Sequence, residues 1–393
     1  MSKFSMFSYT WDFAENGVSN TLSELKNIGI NSVTLASSYH AGKFLRPKSA
    51  KNKIYFPEDG TVYFKHDSTK YGAIKPIPHP IFGNGEVLKE LTEASGISVR
   101  AWLVLMHNSQ LGAANPGSVI KNAFGDPYIN SLCPSAPEAR NYAVGLAKDV
   151  TESYGLEGIT VESIGFPPFE HGYHHEMSFV QPNIWLSQNL GLCFCEHCVT
   201  GAEKKGIDAK GLKAETAKKI HDYLEGDIDY TSDMAQAFWQ ADVEGNSELG
   251  KYLEFRKEIV TSLANEIRGA VRKDVEVAII PSVARPTSGA WYEGTDLTAL
   301  AKSIGAIEAC FYEPSVDRIK ADLADIKLRT GGQGKIKGIL RPAYPDLTSE
   351  TAVVQAVSAL WHGGVKDISF YNYGHIRRQS LNWIKRALES VAK

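Results

Sequence analysis

Eight short runs of β-forming residues recur along the chain, and each is followed by a stretch with helical spacing. The runs are Lys3–Tyr9, Ser32–Ala36, Val99–Met106, Gly158–Val161, Val275–Pro281, Ile307–Tyr312, Lys335–Leu340 and Asp367–Tyr371. The helical stretches are Val18–Ile28, Gly85–Ser95, Glu138–Tyr154, Leu249–Val271, Leu297–Ser303, Val316–Arg329, Ser349–His362 and Arg378–Ala392. Gly29 and Gly155 stand where the first and third helices would end, as helix-closing glycines do. Strict β–α alternation over this length predicts an α/β protein, a (β/α)8 barrel, in one domain spanning residues 1–393. A long insertion, residues 163–245, would follow the fourth strand. A doubly wound sheet usually carries a glycine-rich phosphate loop after its first strand. Here that position reads Tyr9-Thr10-Trp11-Asp12, without a GxGxxG pattern.

Composition narrows the partners. A net charge of −3 gives no basic surface for nucleic acid. No run of about 18 apolar residues predicts a membrane span, and the first residues show no apolar signal region. Five cysteines in 393 residues do not form a disulfide scaffold, so a cytoplasmic protein with reduced thiols is expected. A homo-oligomer stays open, and no organic cofactor is expected.

In such barrels chemistry sits where strands give way to the following helices. Those ends carry Tyr9, Trp11 and Asp12; Tyr39 and His40; His107 and Asn108; Glu162; Ser282 and Arg285; Tyr312 and Glu313; Arg341 and Tyr344; and Tyr371, Asn372, Tyr373 and His375. Glu162 ends the apolar run Gly158-Ile159-Thr160-Val161, and Glu313 follows Ala309-Cys310-Phe311-Tyr312. A charge so near a buried strand is costly unless it is paired or used. Strands four and six lie two apart around a barrel, so Glu162 and Glu313 are expected to face each other as a catalytic carboxylate pair. The competing expectation for each is an ion pair with Arg285 or Arg341. Trp11, Asp12, Tyr39, His40, His107, His174, His175, Arg285, Trp291, Tyr312, Arg341 and Tyr373 are the expected substrate-binding set. The segment 166–176 holds Glu170, His171, His174, His175 and Glu176, which reads as a ligand-binding loop, a solvated loop or a metal site.

Cys193, Cys195 and Cys198 fall within six residues, a spacing that reads as metal ligation in a reducing compartment. The fourth ligand would be Cys133 or His197. Cys310 lies on a strand and reads as a core thiol.

The pairing of Cys133-Pro134-Ser135-Ala136-Pro137 with Cys193-Phe194-Cys195-Glu196-His197-Cys198 resembles the zinc-bearing β-galactosidases of glycoside hydrolase family 42. That resemblance implies a structural zinc on Cys133, Cys193, Cys195 and Cys198, and makes Glu162 the counterpart of the strand-four acid/base. The sequence departs from the family in having Val161 where the family has Asn. It also has no carboxylate in Gly338-Ile339-Leu340-Arg341-Pro342, where the family's nucleophile ends strand seven. A strand-four and strand-six pair instead resembles α-galactosidase-type barrels, in which the strand-four carboxylate is the nucleophile. The chain is also similar to uncharacterised bacterial barrels of glycosidase-like type. The leading expectation is a glycoside hydrolase acting on a small oligosaccharide or glycoside. The others are a metal-dependent sugar isomerase, epimerase or lyase, and a non-catalytic sugar-binding barrel.

Overall fold

The computed structural model describes residues 2–170, 173 and 176–391. Its eight central strands form one closed parallel ring. They are β1 (Lys3–Ser8), β2 (Ser32–Tyr39), β3 (Ser98–Val104), β4 (Gly158–Glu162), β5 (Glu276–Ile279), β6 (Ala306–Cys310), β7 (Lys335–Leu340) and β8 (Asp367–Phe370). The ring closes because β1 pairs in parallel with both β8 and β2. The expected (β/α)8 barrel is therefore the fold, and all eight strands fall within a few residues of their expected places. The helices do likewise: Pro137–Ser153, Ser247–Ala270 and Glu350–His362 each begin or end a residue or two from the periodicity. Gly29 takes φ 91°, the left-handed turn that lets the chain leave the first helix for β2.

Three excursions decorate the mouth. The stretch between β2 and β3, expected as a loop, contains short strands. Thr61–Val62 pairs antiparallel with the end of β2, and Phe44–Leu45 pairs with Ile54–Tyr55. The extended end of β2 thus offers an edge that the loop adopts. A two-stranded ribbon, Val119–Lys121 with Pro127–Leu132, follows β3 and delivers Cys133. After β4 the chain builds four helices, Ile184–Leu190, Glu196–Glu203, Ala209–Glu225 and Ser232–Gly245, before the long helix Ser247–Ala270 returns to the barrel.

Strand alternation sorts the barrel interior into layers. The lower layer is polar and internally satisfied. Buried Glu308 accepts from Thr160 Oγ1 at 2.8 Å and from Ser369 Oγ at 2.8 Å. Ser5 and Thr34 share a 2.8 Å hydroxyl contact, and Arg100 reaches the Ile159 carbonyl at 2.8 Å. Gly158 leaves room here for Arg100 and the β5 backbone, because a Cβ would lie 2.1 Å from Arg100 Nη1 and 2.8 Å from the Glu276 carbonyl oxygen. Two residues further along each strand, Phe7, Ala36, Trp102, Cys310 and Ile339 form an apolar-aromatic layer. The next step lifts Tyr9, Tyr312 and Arg341 into the mouth.

Candidate functional site

Parity decides which carboxylate enters the barrel. On β4, Thr160 faces inward, so Glu162 does too. It lines a cavity of about 290 Å³ with Trp102, Cys310, Tyr312, Arg341 and Tyr371. It also lines an adjoining cavity of about 140 Å³ with His107, Asn130, Ser282 and Glu293. On β6 the inward residues are Glu308, Cys310 and Tyr312, so Glu313 is odd and turns outward. There it is 1% exposed and ion-paired with Arg318, on the helix Val316–Thr330. The expected Glu162–Glu313 pair is therefore not formed, because the two residues sit on opposite faces of their strands. Nor does either acid pair with Arg285 or Arg341. Both of those arginines pair instead with buried Asp346.

The carboxyl group that does join Glu162 is Glu293. It ends the 3-10 helix Thr287–Glu293 in the connection after β5. Its carbonyl accepts from Phe166 N at 2.8 Å, and Gly165 permits that approach, since a Cβ would meet the Glu293 oxygen at 2.4 Å. The loop that leaves Glu162 at the end of β4 is thus clamped to the connection after β5 at Glu293. Trp102 Nε1 donates to Glu162 Oε2 at 2.7 Å. Ser282 Oγ donates to Glu293 Oε1 at 2.5 Å. Burial pushes the Glu162 carboxyl up to about 7, against the opposing bond from Trp102. Burial pushes Glu293 up to about 7 as well; Ser282 and Arg256 oppose the rise, and the charge of Glu162 adds to it. Burial thus makes both carboxyls easier to protonate than an ordinary glutamate. Ser163, next to Glu162, takes φ 58°, a left-handed conformation that non-glycine residues adopt rarely and often at functional sites.

The remaining expected residues divide in two. Tyr39, His40, Arg285, Tyr312 and Arg341 line the larger cavity, and His107 the smaller. The His40 and His107 rings stack at 4.6 Å. Tyr9, Tyr39 and Tyr371 bring their hydroxyls within 3.2–3.3 Å of one another, and burial raises all three phenols, keeping them neutral. By contrast Trp11 is buried behind Tyr9, stacked at 4.6 Å. Asp12 turns back to accept from Tyr9 N at 3.1 Å and pairs with Arg46 at 3.5 Å. Tyr373 donates to Glu24 at 2.5 Å and lies under Lys48. Trp291 packs on Tyr292 rather than lining either cavity. These four are scaffold, not cavity lining. His174 and His175, with His171, lie outside the described residues. Sequence reasoning missed Glu293, Trp102 and Asp346. Trp102 was legible from strand alternation, whereas Glu293 lies 12 residues past the expected end of β5 at Pro281, Ser282 and Arg285 intervening, with no local signal.

Cys133, Cys193, Cys195 and Cys198 converge. Their sulfurs all lie within 4.8 Å of one another, all buried. Cys133 Sγ is 3.8, 3.6 and 3.5 Å from those of Cys193, Cys195 and Cys198. A tetrahedral thiolate site with metal–sulfur bonds of about 2.3 Å has edges of about 3.8 Å, so the four residues fit one metal ion. Cys133, not His197, is the fourth member. Ser135 N points at Cys133 Sγ at 3.4 Å, a backbone donor of the kind that steadies thiolates. Cys310 is a buried thiol of the barrel interior, as expected.

No known family model matches the sequence, and no curated protein sequence matches it. Solved structures match its fold over the whole chain. The catalytic domain of β-amylase from Paenibacillus polymyxa superposes with a TM-score of 0.59 at 12% identity, covering 100% of this chain and 98% of that one. The PgaB (BpsB) glycoside hydrolase domain from Bordetella bronchiseptica gives 0.55 at 15% identity, with 100% and 98% covered. α-L-Fucosidase isoenzyme 2 from Paenibacillus thiaminolyticus gives 0.56 at 13%, and there this chain spans 49% of the longer protein. The chain thus shares its (β/α)8-barrel fold with these structures. Among the described residues no helix is long and apolar enough to cross a membrane.

Proposed function

We propose that the protein is a glycoside hydrolase acting on a small glycoside or oligosaccharide, with Glu162 and Glu293 as its two working carboxyls. The observation that carries this reading is the shared cavity in which both acids are raised to about 7. Glycoside cleavage asks for this division of labour. One protonated carboxyl gives its proton to the departing glycosidic oxygen, while a carboxylate attacks the anomeric carbon or takes a proton from the attacking water. A pair sharing one proton at neutral pH would supply both forms at once. The likeness in fold to glycoside hydrolases supports the reaction class.

The test is turnover of a panel of 4-nitrophenyl glycosides by the wild type, Glu162→Gln and Glu293→Gln. Either substitution is expected to lower kcat about 10²–10⁴-fold with the fold intact. Full turnover in either variant would refute the assignment. Binding of sugars without any turnover would favour the non-catalytic barrel.

The ion for the four cysteines is proposed to be zinc, in a structural role, since four thiolates leave no position for water or substrate. Elemental analysis is expected to give one zinc per chain, lost in Cys195→Ser. A metal-dependent isomerase, epimerase or lyase would draw on Glu313 beside Glu162, and those two acids take opposite faces of their strands. Among the described residues the cysteine cluster is the only group of three or more ligating side chains close enough to hold an ion.

A further inference from the structure

The wall of the larger cavity away from Trp102 carries two guanidinium groups that the scaffold leaves under-used. Arg341 follows β7 in the inward register of Lys337 and Ile339, and its guanidinium lies 4.1 Å over the Tyr312 ring. Among the described residues its one ionic partner is Asp346, at 3.4 Å, and its buried Nε has no hydrogen-bond partner. Arg285 uses Nη1 for both the Tyr312 carbonyl, at 2.5 Å, and Asp346, at 3.0 Å. Among the described residues its other nitrogens hydrogen-bond to nothing. The Asp346 side chain is 1% exposed and serves both arginines, so two positive charges share one negative. Among the described residues Glu162 is the sole carboxylate lining this cavity, and Trp102 already holds it.

A half-buried guanidinium that shares its carboxylate with a second arginine is only partly compensated. Its planar fork is suited to an oxyanion, which it binds through charge-assisted and bidentate hydrogen bonds. The aromatic floor of Tyr39, Tyr312 and Tyr371 beside it suits the face of a sugar ring. We infer that this cavity selects an anionic carbohydrate, one bearing a carboxylate, sulfate or phosphate group that docks on Arg285 and Arg341 while the ring reaches Glu162. The inference rests on the glycosidase reading for what happens at Glu162, but the anion site stands on Arg285 and Arg341 themselves.

Calorimetric titration separates the cases. The probes are glucuronate and galacturonate, glucose 6-sulfate and glucose 6-phosphate, with glucose and galactose as neutral counterparts. At least one anionic probe is expected to bind tenfold or more tightly than its neutral counterpart, and to weaken as NaCl is raised. Which probe wins tells a carboxylate from a sulfate or phosphate ester. Arg341→Met, which keeps the packing on Tyr312, is expected to abolish the preference, and Arg341→Lys to restore part of it. The wild-type comparison alone decides the matter should a variant fold poorly. If no anionic probe outbinds its neutral counterpart, the inference is overturned. Turnover of the 4-methylumbelliferyl glucuronide and glucoside separates this result from the fate of the glycosidase reading. Glu162-dependent cleavage of the neutral glucoside, unchanged in Arg341→Met, overturns the anion inference and leaves the hydrolase intact. Anion binding with no cleavage of any glycoside does the reverse.

Discussion

The cysteine cluster and the carboxyl cavity both gather ionisable side chains from distant parts of the chain, yet they are built to opposite ends. The four thiols are fully buried and face one another at metal-binding distances, so every ligand position is filled from within. The two carboxyls each take one scaffold donor, Trp102 or Ser282, and leave their remaining oxygens to a cavity. On the proposed reading, closure would commit the first group to stability, whereas openness would leave the second group available for reaction. One helix touches both regions. Within Ser247–Ala270, Tyr252 donates to the Cys193 carbonyl at 2.5 Å, and Arg256 donates to the Tyr292 carbonyl, beside Glu293, at 3.1 Å.

This contrast predicts a hierarchy of effects. The largest should follow loss of the metal. Cys195→Ser or exhaustive chelation is expected to destabilise the protein by on the order of 5 kcal/mol, because structural sites of this kind contribute folding energy directly. Denaturant midpoints and elemental analysis check it; metal-free protein of unchanged stability would break the comparison. Next come the carboxyls. Glu162→Gln and Glu293→Gln are expected to lose turnover about 10²–10⁴-fold while the metal content stays whole, which steady-state kinetics with elemental analysis would read.

A smaller effect, of opposite sign, concerns pH. Burial raises both acids to about 7 from the ordinary glutamate value of 4.5. Between those values the folded state holds protons that the unfolded state has released, so stability falls as pH rises through that window. Each Gln variant is therefore expected to be more stable than the wild type at pH 8, by about 1–3 kcal/mol, with the gain gone near pH 4. Urea unfolding at the two pH values checks this; equal gains at both would contradict the burial of the acids. The smallest effect belongs to Glu313→Gln, which removes an ion pair with exposed Arg318. It is expected to lower Tm by a few degrees without changing kcat, as a thermal melt beside an activity assay would show.

The barrel was legible because alternation of strand and helix is a long-range rhythm, and all eight β-runs keep it. The cysteine cluster was legible because three of its members are packed into one short motif. Glu162 was legible at a strand end, but Glu313 was misleading there. Placing a residue at a strand end does not say which face it takes, and a one-residue offset reverses the face. Counting by twos from Glu308, which is buried among Thr160 and Ser369, turns Glu313 away from the lumen. Glu293 was not legible at all, because the contact that brings it in, Phe166 N to the Glu293 carbonyl, joins loops 127 residues apart.

The central claim is that Glu293, not Glu313, is the partner of Glu162. Turnover of one and the same glycoside by Glu293→Gln and Glu313→Gln, each with its melting curve, tests it most directly. The account predicts a loss of about 10²–10⁴-fold in the first with its fold unchanged, and near-full kcat in the second. A fully active Glu293→Gln beside a folded but inactive Glu313→Gln would contradict it.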